Sequence, residues 1–206
     1  MKKILFFCFC LNLLSLPAWA VEYSGQSKLA QKYYPVLKKI VCSPQHFGGI
    51  GKDCDLDRVR VIGSWAWVSW SGGEAGGNSL LKLSGSSWKH ITGGGGAMNA
   101  ENAMQVGLSK AQAEMLVPSF GLDIARSSEK INPADIDYLS EWDLMVARNT
   151  IYALHGRIFQ HKALLDYFAS FPWYNPNPKY HEGLLSAIEK YNANLILQLE
   201  KKKGFM

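Results

Sequence analysis

The 206-residue sequence is short of most residue patterns that announce a chemistry. Cysteine occurs four times, and beyond residue 20 only Cys42 and Cys54 remain, with no Cys-x-x-Cys pair to build a zinc site. The histidines, His46, His90, His155, His161 and His181, never fall at metal-binding spacing, so neither a metal nor a cofactor is expected. Gly-x-Ser-x-Gly and His-Glu-x-x-His are both missing, and no residue is assigned a catalytic role. The glycine run Gly93 to Gly96 lacks the Lys-Ser/Thr of a phosphate loop, which speaks against nucleotide binding. Charge of one sign is scarce as well. Without Lys2 and Lys3 the 22 basic residues fall to 20 against 17 acids, a formal +3, and much of that surplus is Lys201-Lys202-Lys203 at a helix end. No nucleic-acid partner is expected from so small an excess. Beyond residue 20 no apolar run approaches the ~20 residues of a spanning helix, so an integral membrane protein is not expected.

At the N-terminus, Lys2 and Lys3 precede an apolar run from Ile4 to Leu16, followed by Pro17-Ala18-Trp19-Ala20. A basic start, a short apolar core and a small-x-small site form a secretory signal peptide, with cleavage expected after Ala20 and a periplasmic or secreted mature chain beginning at Val21. An oxidising destination makes a disulfide the simplest fate for Cys42 and Cys54. Closing a loop that short stabilises by about 3 kcal/mol in the chain-entropy picture. Zinc is the weaker alternative, since only His46 lies between the two cysteines.

Along the chain, Leu29, Tyr33, Val36, Leu37 and Ile40 recur at helical spacing, predicting an amphipathic helix over 24–40 with Pro35 inside it. The period then becomes two. Val59 and Val61, Trp65 to Trp70, Leu80 to Leu83, and Trp88 to Ile91 predict four short strands, with turns at 63–64, 71–78 and 84–87 and an end at Gly93. Trp65 and Trp67 share one face and Trp70 takes the other; this suits a sheet core better than sugar stacking. A helix follows Ser109, where Ser109 and Gln112 form a capping box, and stops before Pro118. Residues 119–138 show little periodicity and are expected to be a linker. Downstream, Ser140 and Asp143 form a second capping box, Leu144, Ile151 and Leu154 supply an apolar stripe, and Gly156 is placed as the left-handed residue after the helix. Further helices are predicted over 162–170 and 182–203, separated by the rigid segment from Phe171 to Pro178.

Trp142-Asp143-Leu144, Ala147-Arg148-Asn149, Tyr152-Ala153-Leu154-His155-Gly156-Arg157 and Phe171-Pro172-Trp173-Tyr174 with Asn177-Pro178 agree in order and spacing with one family. The segment over about 138–203 resembles the YARHG domain, with Leu154 standing where the naming pentapeptide has arginine. The Gly/Trp-rich region upstream is similar to N-terminal domains that precede such modules in bacterial secreted proteins. The resemblance implies an extracellular or envelope module with no established activity.

Arg148, Tyr152 and His155 stand at i, i+4 and i+7 with Asn149 beside them, so they share a helical face. That face either satisfies the backbone of the proline-rich segment or, with Arg157, lines a ligand groove. Glu74, between two glycine pairs, is a further ligand candidate, although a solvated hairpin tip accounts for it more simply. The expected fold is α+β: residues 21–118 with a helix and an antiparallel meander, then an all-helical domain over 139–206. The expected function is a non-enzymatic binding or inhibitory module for an envelope or extracellular protein or a cell-wall polymer. A cell-wall hydrolase using Glu74 or His155, and an immunity or toxin-neutralising protein, are the alternatives. Oligomeric state is not legible in the sequence.

Overall fold

The computed structural model describes residues 21–47 and 53–206. The expected signal peptide and its cleavage site lie outside the described residues. The fold is α+β, as expected. In chain order the elements are β1 (Glu22–Gly25), α1 (Ser27–Val41), α2 (Pro44–Phe47), β2 (Asp55–Ile62), β3 (Trp65–Gly72), β4 (Ala75–Ser84), β5 (Ser87–Gly95), α3 (Ala100–Gln105), α4 (Lys110–Leu116), α5 (Gly121–Ile124), α6 (Glu141–Leu154), α7 (Lys162–Ala169) and α8 (Ala187–Lys202). Two single 3-10 turns, Pro133–Asp135 and Glu182–Leu184, precede α6 and α8.

The sheet runs β1-β2-β3-β4-β5, and β2 to β5 form the expected antiparallel meander. A fifth strand corrects the expectation that a helix begins at Ser24. Glu22 to Gly25 pair in parallel with Arg58 to Val61, and the helix starts only at Ser27. Four residues are too few to show an alternation, and their partners lie far along the chain. The turn expected over 71–78 shrinks to Gly73-Glu74, because Ser71 pairs with Gly76 and Gly72 with Ala75. Likewise β5 continues to Gly95, its glycines pairing with Gly77 to Ser79. Main-chain pairing with β4 overrides the poor strand propensity of glycine.

Both faces of the sheet are covered. Val59, Val61, Ala66, Val68, Trp70 and Leu81 pack beneath Ala30, Leu37 and Val41 of α1. The Cys42–Cys54 disulfide, Cα atoms 5.6 Å apart, ties the end of α1 to the start of β2. On the opposite face Trp67 and Leu80 pack against Ala103, Ala113 and Leu116 of α3 and α4. The helix α3 was not foreseen; Asn99 and Asn102 cap it reciprocally, a pairing outside the usual Ser/Thr with Glu/Gln pattern. The capping box of Ser109 and Gln112 on α4 is present.

In the helical region α6 is central, buried on two sides. Leu144, Ala147 and Ile151 pack with Ile196 and Leu199 of α8, while Trp142, Val146 and Ala153 pack with Tyr167 and Phe168 of α7. Leu154, expected in the apolar stripe, is exposed. The segment 119–138 carries α5 and a 3-10 turn, with Leu122, Ala125, Ile131 and Ile136 buried. Gly121 lets α5 lie directly on α6, since a Cβ there would sit 2.2 Å from the Asp143 carbonyl oxygen. The last helix starts at Ala187 rather than Glu182, because Ser186 and Glu189 form the capping box that fixes its first turn.

Candidate functional site

The polar face of α6 is held by α8. Arg148 donates from Nε to Glu200 Oε2 at 2.6 Å and from Nη2 to Oε1 at 3.3 Å, a two-pronged ion pair in which Glu200 is 2% exposed. About two turns later His155 Nε2 lies 2.7 Å from Glu189 Oε1. Burial works against the Glu189 carboxylate, yet the hydrogen bonds from His155 and from Ser186 outweigh it and hold its pKa below the ordinary value. Asn149 is buried and donates to the Met145 carbonyl within its own helix. Tyr152 is half-buried under the Arg157 guanidinium, 4.9 Å from its ring centroid. The partners of Arg148 and His155 are therefore carboxylates of α8 and not backbone groups of the proline-rich segment. That segment is met instead by main-chain groups after the helix: the Asn177 N–H donates to the Gly156 carbonyl and the Tyr174 hydroxyl to the Arg157 carbonyl, both at 2.7 Å. Gly156 takes φ 83°, the left-handed position expected of it. Glu74 is exposed at the Gly73-Glu74 hairpin tip, remote in the topology from the α6 face.

The cap of α6 differs from the expected box. The Asp143 N–H donates to Ser140 Oγ, but the Asp143 carboxylate does not return to the Ser140 backbone. It accepts the hydroxyls of Ser140 at 2.7 Å and Ser119 at 2.6 Å, and so fastens the chain at Ser119 to the start of α6. Ser119 is further fixed by its N–H, which donates to the buried Tyr167 hydroxyl at 2.9 Å.

That fixed chain forms one wall of a groove of about 550 Å³ on the sheet face that α3 and α4 leave open. Its floor is a row across three strands, Arg58 of β2, Ser69 of β3 and Asn78 of β4, with Trp67 of the neighbouring row. Pro118, Ser119, Phe120 and Asp123 line one wall, Gly96, Ala97 and Met98 another, and Asp57 closes the end beside Ser71, whose hydroxyl it accepts at 2.8 Å. Asn78 is committed to the walls, donating to the Gly77 carbonyl and accepting the Met98 N–H. The volume lies in the range of small-ligand clefts, and the lining mixes apolar surface with a few charged and hydroxyl groups. A separate small pocket shares Arg58, Trp67 and Asp123 with the groove and is lined further by Glu22, Arg126 and Trp173, where the Arg126 guanidinium lies 5.2 Å from the Trp173 ring centroid.

None of the groove residues was a ligand candidate in the sequence: Trp67 and Trp70 were assigned to the sheet core, Gly96 to the glycine run and Pro118 to a helix end. A signal was present: Arg58 and Arg60 alternate with Val59 and Val61, so β2 presents an apolar face to α1 and a polar one away from it. What completes the groove is a loop some fifty positions further on.

No curated protein and no solved structure shows a significant match to the chain. A family model does match, and it begins at residue 121, upstream of the 138 expected, taking in α5 as well as α6 to α8. The C-terminal part of this chain, residues 121–201, is accordingly a YARHG domain, with Asp123 of the groove inside the match and the sheet outside it.

Proposed function

We propose that the protein is an exported bacterial envelope protein that acts as a non-enzymatic binding module for a protein or a cell-wall component, with the groove over Arg58, Ser69 and Asp123 as its ligand seat. The observation that carries this reading is the groove itself: an open cleft of about 550 Å³ between the sheet and the chain that enters the YARHG domain, with Asp123 of that domain in its wall. Clefts of that size at the junction of two structural regions are favoured ligand sites. The disulfide and the YARHG domain fit an extracellular or periplasmic location. The α6 face of Arg148, Asn149, Tyr152 and His155 then serves as scaffold, since its charges are spent on α8.

Capture from envelope extracts by the immobilised protein tests this, with Arg58→Ala/Asp123→Ala as comparison. A specific partner or polymer is expected on the parent chain and not on the double variant; equal capture by both, or no capture at any salt, would sink the idea. N-terminal sequencing of the exported protein is expected to begin at Val21.

A further inference from the structure

We infer that the groove takes an uncharged glycan, and that Trp67 and Ser69 meet it with hydrogen bonds from the sheet face; this rests on the groove being the ligand seat. Trp67 is 4% exposed, yet its Nε1 has no hydrogen-bond partner among the described residues, and neither has the buried Oγ of Ser69. The two stand two apart on β3, so they share a face, and both line the same groove. A buried polar group without a partner costs about 1–3 kcal/mol. Other buried side-chain atoms, Ser79 Oγ and Trp142 Nε1 among them, also lack a partner among the described residues; what sets Trp67 and Ser69 apart is that both residues line one cleft.

The hydrogen-bonding inventory selects the ligand class. The Trp67 N–H and the Arg58 guanidinium can only donate, the carboxylates of Asp57 and Asp123 can only accept, and the Ser69 hydroxyl does both. A ligand that satisfies all of them within one cleft must interleave donors and acceptors closely, and a row of sugar hydroxyls does so because each hydroxyl is both. Two carboxylates against one guanidinium disfavour a polyanion. An extended peptide is served poorly here. It binds best along an open strand edge, whereas β2, β3 and β4 are each hydrogen-bonded to a neighbour on both sides, so the groove offers it no free main-chain ladder. Apolar surface from Phe120 and Met98 suits the C–H faces of sugar rings.

The test titrates the isotope-labelled protein with a β-1,4-linked N-acetylglucosamine tetramer. The indole N–H resonance of Trp67, assigned by its loss in Trp67→Phe, is followed throughout. That resonance is expected to move downfield and saturate. Ser69→Ala is expected to bind the tetramer about tenfold more weakly, the worth of one hydrogen bond, with an unchanged or higher melting midpoint, because it deletes a hydroxyl that has no partner among the described residues. A merely structural Ser69 would leave affinity untouched, and that result overturns the inference. So does a resonance that stays put with the tetramer, or one that moves with a sugar-free cell-wall stem peptide instead. If the tetramer fails while capture from extracts still depends on Arg58 and Asp123, the ligand class falls and the binding role stands; if both fail, the seat itself is wrong.

Discussion

The guanidinium of Arg60 on β2 lies 4.3 Å from the centroid of the Phe171 ring, completely buried between the sheet and the end of α7. Its Nε donates to the Met115 carbonyl at 2.9 Å and its Nη2 to Ser170 Oγ at 2.5 Å, and Tyr167 supplies a second ring face. Beside it the Gly25 N–H donates to the Ser170 carbonyl at 2.8 Å. One side chain thus joins the meander, the end of α4 and the YARHG domain. Burial pulls its pKa down to about 10, still high enough to keep the charge at neutral pH.

Replacing Arg60 separates packing from charge. Arg60→Ala removes the cation-ring contact and opens a cavity, and is expected to cost about 3 kcal/mol. Arg60→Met keeps a flexible apolar chain over Phe171 and removes a buried charge that has no carboxylate ion-pair partner among the described residues, so it is expected to stay within about 1 kcal/mol of the parent. Urea midpoints of the two variants check this; equal losses would show that the guanidinium itself holds the junction.

Gly156→Ala is expected to cost about 2–4 kcal/mol, well beyond the ~1 kcal/mol that positive φ alone exacts. The reason is contact: a Cβ at Gly156 would fall 2.6 Å from both the Asn175 carbonyl oxygen and Asn177 Cβ, so the proline-rich segment must shift. Thermal unfolding gives the magnitude, and a cost no larger than that of an isolated helix cap would argue that the segment yields freely.

Acid should weaken the fold through two carboxylates. Asp55, like Glu189, is opposed by burial, but it accepts hydrogen bonds from the Tyr34 hydroxyl at 2.5 Å and from the Leu56 N–H, and it pairs with Lys38 at 3.0 Å, so its pKa is lowered. A carboxyl whose folded pKa lies below its unfolded value contributes stability that is present above the unfolded value and is lost as pH falls through the folded one. The melting midpoint is therefore expected to hold from neutrality down to about pH 5 and to fall below about pH 4. In Asp55→Asn/Glu189→Gln the midpoint should start lower and fall less steeply; an unaltered slope would remove these two groups from the account.

Reduction of Cys42–Cys54 is expected to lower stability by about 3 kcal/mol, with the linked residues twelve apart. Thiol labelling of the denatured, exported protein should give no signal until reductant is added. The bond anchors α1 to the start of β2, so the tyrosine and tryptophan environment around Tyr33 and Trp88, whose ring centroids are 5.2 Å apart, should loosen on reduction while the YARHG domain keeps its helices.

How much of this was legible before the fold depended on the range of the interactions. Period-two alternation located β2 to β5, the helix signals at Ser109, Ser140 and Gly156 placed α4 and α6, and the motif elements from Trp142 to Pro178 named the domain, because each depends on residues a few positions apart. Cys42 and Cys54 could be paired because only two cysteines remained beyond residue 20. Local signals could not give β1, whose four residues make sense only beside Arg58 to Val61, nor the partners of Arg148 and His155, which come from α8. They also could not give the groove. Arg58, Ser69 and Asn78 become neighbours through strand register, and Ser119 and Asp123 meet them because Asp143 and Tyr167 fix the intervening chain. The sequence alone determined β2 to β5, the main helices, the disulfide and the family, through short-range periodicity and capping; the tertiary structure alone decided β1, which polar groups are spent on the scaffold and which residues line a cleft.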